Sequence, residues 1–132
     1  MFLLLIFAAL FFTISDLRTH KISNNSLLIS LALFGVASHL QGNALYFQSF
    51  LVALVLGFVA HQVGVGAGDG KLFSLLAIFY LPFELESWRS FVISFSLFSM
   101  VLVIIHLIRR VPISQPIALA PAICGAFIWC AR

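Results

Sequence analysis

The stretch Ala44 to Lys71, ALYFQSFLVALVLGFVAHQVGVGAGDGK, decides how the rest of the chain reads. Its first part, Ala44 to Val63, carries no Asp, Glu, Lys or Arg and matches the ~20 apolar residues that a helix needs to cross a bilayer. Its second part, Gly64 to Gly70, places glycine at 64, 66, 68 and 70 around a single carboxylate, Asp69. The pattern is that of a membrane span running into a glycine-rich loop. The whole composition agrees, with 63% hydrophobic and 8% charged residues and a mean hydropathy of +1.19. A soluble core cannot hide that much apolar surface, so the chain reads as an integral membrane protein. No polar segment is long enough to fold by itself, which leaves one domain over residues 1–132. The net charge of +3 comes from basic residues placed singly or in pairs beside apolar segments. There they meet lipid headgroups, and no nucleic acid is expected as a partner.

Upstream, Phe2 to Ser15 has the length of a signal-peptide core, but no basic segment precedes it and no small-residue cleavage site comes before Asp16. It reads as a span that is retained. The polar run Asp16 to Asn25, DLRTHKISNN, separates it from a second span, Ser26 to Leu40. Downstream, Lys71 to Phe83 is apolar for only about 13 residues, or roughly 20 Å of helix, and so is tilted, buried or incompletely spanning. A polar turn, Glu84 to Trp88, leads to a long span, Arg89 to Ile108. After Arg109, Arg110 and Val111, the last apolar segment runs from Pro112 to Ala131, where Pro116 and Pro121 predict a kink or a late helix start. The expected fold is an all-α polytopic membrane protein of about six transmembrane helices, the fourth of them short. Arg18, Lys21, Lys71, Arg109 and Arg110 fall in the odd-numbered loops and only Arg89 in an even one, which puts the odd loops in the cytoplasm. Cys124 and Cys130 are six residues apart, so a helix turns them away from each other and they read as small apolar side chains.

The chain has two aspartates, Asp16 after the first span and Asp69 after the third. The two intervening helices run in opposite directions, so the loops carrying these residues return to one face. Either carboxylate alone could mark a membrane boundary. Brought close together, two carboxylates cannot both ionise comfortably; one keeps a proton while the other acts as base toward a water between them. That is the chemistry of aspartyl hydrolysis of an amide. Gly66 and Gly68 leave room for an extended substrate beside Asp69. A nucleotide loop is excluded, because no GK[ST] follows the glycines and a membrane helix precedes them. His20, His61 and His106 fall near the same face but lack ligand spacing such as HExxH, so neither a metal nor another cofactor is expected. Glu84 and Glu86 belong to the opposite face.

These residues resemble the prepilin leader peptidases, which belong to the GxGD intramembrane aspartyl proteases. One motif reads Gly66, Ala67, Gly68, Asp69, with Lys71 and Leu72 also similar. The other is Asp16 with Ile22 and Asn24. The proline-containing end, VPISQPIALAPAICGAFI, is similar more loosely. The resemblance implies Asp16 and Asp69 as catalytic residues, with Ile22, Asn24, Gly66, Gly68 and Lys71 as motif support or substrate contacts. It further implies prepilins or pseudopilins as substrates, cleaved after a glycine on the cytoplasmic side of a bacterial inner membrane. Longer members carry paired CxxC motifs and also methylate the new N-terminus. This chain, with its first motif at residue 16 and no such cysteines, is similar to the short form of tight-adherence (Flp) pili, for which peptidase activity without methylation is expected. The alternatives from other classes are a proton-coupled transporter or channel subunit using both Asp as a relay, and a structural assembly factor.

Overall fold

The structure is a computed structural model that describes residues 1–19, 22–109 and 118–132. His20, Lys21, Arg110, Val111, Pro112 and Pro116, all singled out above, lie outside the described residues. Among those described there are six helices and no strand: α1 (Phe2–Thr19), α2 (Asn24–Gln41), α3 (Phe47–Gln62), α4 (Ala67–Tyr80), α5 (Leu85–Ile108) and α6 (Ala120–Cys130).

The two shortest helices form the centre. α4 packs against α2, α3 and α6, and α6 packs in turn against α1 and α5. α4 is buried nearly all round, at Leu72 and from Ser74 to Phe79, as expected of a helix that is apolar on every side. α6 buries Ala120, Ala122, Ile123, Cys124, Ala126 and Phe127. Aromatic rings join the two to α5: Phe73 stacks on Phe91 at 5.1 Å, and Phe91 meets Phe127 at 4.8 Å. Of the three expectations for the short fourth segment, burial is the one realised.

The outer helices turn apolar residues away from this centre. Leu3 and Phe7 of α1 are 71% and 70% exposed, and Leu28, Phe58, Leu97 and Met100 continue the same surface on α2, α3 and α5. Several polar side chains point inward instead. Ser74 and Ser94 return their hydroxyls to the carbonyls of Gly70 and Ser90, at 2.9 and 2.8 Å. α5 is the one helix among the described residues long and apolar enough to cross a membrane by length and composition, and only 11% of its most apolar stretch is buried.

The helix limits differ from the sequence expectation in instructive ways. α1 runs through Asp16 to Thr19 instead of stopping at Ser15. α3 starts at Phe47, because Tyr46 donates its backbone N–H to Ile78 O at 2.8 Å and holds the chain against the end of α4. α4 starts at Ala67, so Asp69 belongs to a helix and not to a loop. α5 starts at Leu85, absorbing most of the expected turn. α6 does begin late, at Ala120, with Pro121 second in the helix, where its missing N–H costs nothing.

One end of the bundle gathers Met1, Gln41, Tyr46 and Tyr80. The Met1 amine donates to Gln41 Oε1 at 3.1 Å, and the Tyr80 hydroxyl donates to Met1 O at 3.0 Å. A cavity of ≈ 530 Å³ lies there, lined also by Glu86 and Cys130. The two aspartates occupy the other end.

Candidate functional site

Asp16 stands near the end of α1 and is 5% exposed. A helix that continues through DLRT would ordinarily turn this carboxylate to solvent. Here it lies under the start of α6, whose Ala120 N–H donates to Asp16 Oδ2 at 3.1 Å. The first N–H groups of a helix have no partner within it. In α6, Pro121 has none to offer, and Ala122 and Ile123 turn back to Leu119 O at 3.0 and 3.1 Å. Asp16 therefore caps α6 from 104 residues away in sequence.

Asp69 is the third residue of α4, half-buried, ahead of the apolar segment that begins after Lys71. The two sequence motifs interlock around it. A Cβ built on Gly68 would lie 3.1 Å from Ile22 Cβ, so the first motif is seated directly on the second. Lys71 Nζ donates to Asn24 Oδ1 at 2.9 Å, a second link between them. A Cβ on Gly66 would lie 3.0 Å from Asp69 Oδ2. The space at Gly66 and Gly68, expected to admit a substrate strand, is taken up by the protein's own Asp69 and Ile22. Nor do these glycines form an extended strand, since Gly66 (φ −58) caps α4 and Gly68 lies within it. In this stretch only Gly64, at φ 102, needs the left-handed region, in the turn after α3.

Sequence reasoning missed two contributors. The first is Gly57, midway along α3. A Cβ there would lie 2.9 Å from Gly70 Cα, so α3 and α4 touch backbone to backbone immediately beside Asp69. A lone glycine inside an apolar helix was the available signal. The second is the start of α6, which Pro121 marks as a helix N-terminus and hence as a source of a free N–H. His61, considered above as a metal ligand, instead pairs its Nδ1 with Val65 O at 3.1 Å in the α3–α4 turn.

The two carboxylates influence each other. Burial first, and the charge on Asp16 second, push the Asp69 carboxyl up from 3.8 to about 6. Cys124, one turn into α6, lies within electrostatic reach of both. A groove of ≈ 350 Å³ opens beside Asp69 between α3 and α5, with α4 and α6 as its floor. Leu56, Ala60, Phe73, Trp88 and Ile123 line it, and Asp69 is the one ionisable side chain among its lining residues. Two carboxylates coupled in this way resist ionising together, and Asp69 stands next to a surface suited to an apolar segment.

No curated protein and no solved structure matches the chain. A family model described as the type IV leader peptidase family matches residues 3–108. The match contains both aspartate motifs and ends with α5, so the proline-containing end and α6 lie beyond it. Covering well over half of the sequence, it establishes that the chain belongs to the type IV leader peptidase family.

Proposed function

We propose that this family member is an intramembrane aspartyl endopeptidase that removes the basic leader from prepilins or pseudopilins, with Asp16 and Asp69 as its dyad. The observation that carries the reading is the interlocking of the two motifs, Ile22 on Gly68 and Asn24 on Lys71, which brings both carboxylates to one end of the bundle within electrostatic reach. In the cycle, one carboxylate takes a proton from water as the oxygen attacks the scissile carbonyl, and the protonated partner gives its proton to the carbonyl oxygen. The first then protonates the departing nitrogen while the second recovers a proton from the tetrahedral intermediate, restoring the starting state. The cycle consumes only water.

A multi-pass membrane location is supported by the inverted surface, apolar outside α1, α2, α3 and α5 and polar at the buried serines. The basic residues beside the dyad, Arg18 and Lys71, favour a cytoplasmic active site in a bacterial inner membrane. The resemblance to the short tight-adherence (Flp) form extends the proposal to peptidase activity without N-methylation.

Coexpression with a candidate prepilin tests the reading. The unaltered protein shortens the prepilin, and Asp16→Asn and Asp69→Asn leave it full length. If both variants still shorten it, the proposal fails.

A further inference from the structure

Resting on the proposed dyad, we infer that α6 decides which carboxylate holds the shared proton: the Ala120 N–H keeps Asp16 as the charged base and leaves Asp69 as the acid. Asp16 is the more buried of the two, so the asymmetry rests on the hydrogen bond that its charged form receives. Asp16 Oδ2 accepts the first outward N–H of an 11-residue helix at 3.1 Å. A carboxylate is a better acceptor than a carboxylic acid, and the positive end of the helix favours the charged form further. The Asp69 carboxylate accepts no hydrogen bond among the described residues. It faces the apolar groove between α3 and α5, where the neutral form is favoured. The raised pKa of Asp69 agrees in direction.

Other charged and titratable groups surround the dyad as well. On α4, Lys71 spends its ammonium on Asn24 Oδ1. On α1, Arg18 is exposed two residues beyond Asp16. On α6, Cys124 is within reach of both carboxylates and favours neither by contact. On α3, His61 pairs with Val65 O. α2 and α5 place no charged side chain along the groove, while His106 and Arg109 stand at the C-terminal end of α5, on the dyad's side of the bundle. His20 and Lys21 lie outside the described residues.

With the roles assigned, the Asp16 carboxylate takes the proton of the attacking water while the Asp69 carboxyl protonates the carbonyl oxygen. Asp16 then delivers its proton to the leaving nitrogen, and Asp69 is reprotonated from a hydroxyl of the intermediate as the C–N bond breaks.

Because the chain contains two aspartates, labelling with [4-¹³C]aspartate gives two carboxyl resonances in the lipid-reconstituted protein, assigned by their loss in Asp16→Asn and Asp69→Asn. Titration of the unaltered protein is expected to deprotonate Asp16 at lower pH than Asp69. Replacing the Ala120 amide by an ester, with lactate in place of alanine, removes the N–H and adds no atoms. Losing a charge-assisted hydrogen bond should raise the Asp16 midpoint by about 1 pH unit. The acid limb of the pH profile of cleavage should move with it. Asp69 ionising first, or an Asp16 midpoint unmoved by the ester, overturns the inference. Neither titration requires cleavage, so an inactive protein with the expected order would count against the protease reading alone. A cleaving protein with the reversed order would count against the assignment alone.

Discussion

Asp69 shows how much one side chain's surroundings govern. Burial and a neighbouring carboxylate raise it to about 6 from 3.8, so the folded protein holds this proton more tightly than an unfolded chain does. The sign follows: stability contributed at this position declines as pH rises between 3.8 and about 6, and Asp69→Asn should flatten that decline in thermal unfolding of the purified protein. The proposed mechanism needs one proton on the dyad, so kcat/KM should fall on the alkaline side as Asp69 loses it, from about pH 6 upward. A kcat/KM flat from pH 5 to 9 would contradict the acid role. Replacing either aspartate by asparagine should lower turnover by roughly 10²–10⁴-fold, the usual contribution of a positioned acid or base. A secondary-structure signal equal to that of the unaltered protein would show that the fold survives.

Helix contacts place those carboxylates, and they can be tested separately from the chemistry. Gly57→Ala would push a methyl group to 2.9 Å from the Gly70 backbone, where no side chain can swing aside. The expected cost is about 1–3 kcal/mol, read as a lower Tm together with weaker cleavage as Asp69 shifts. Gly35→Ala on α2 is the control, because nothing lies within 4 Å of its added methyl. That change should be neutral or slightly stabilising. The Lys71–Asn24 bond joins the starts of α4 and α2 at the surface, so its loss should cost below about 1.5 kcal/mol. A double-mutant cycle of Asn24→Ala and Lys71→Ala should return a coupling of that size, and strict additivity would deny the link. At this scale the sequence was only partly legible. The alternating glycines read as a loop, yet Gly68 and Gly70 lie within α4, where Ile22 and Gly57 come close enough to need the missing side chains. DLRT read as a loop, yet α1 continues through it because the Asp16 carboxylate meets Ala120 N–H beneath α6.

Across the whole molecule, a bilayer orientation should be measurable. In a variant with Cys124→Ala and Cys130→Ala, a cysteine at Ser23 should resist an impermeant thiol reagent applied from the periplasmic side, whereas one at Asn43 should react. The opposite pattern would reverse the orientation inferred from Arg18 and Lys71. The apolar composition, the order of the segments and the two motifs were all legible along the chain, because hydropathy and motif spacing are local properties. So was the expectation that the carboxylates return to one end, since it follows from counting helix reversals. What only the tertiary structure decided was how they are held. α4 and α6 became the buried pair because α1, α2, α3 and α5 pack around them. Asp16 acquired a donor 104 residues away, while Asp69 was left beside an apolar groove. A carboxylate's protonation depends on the dipoles and solvent within a few ångströms of it, and those neighbours come from distant parts of the chain.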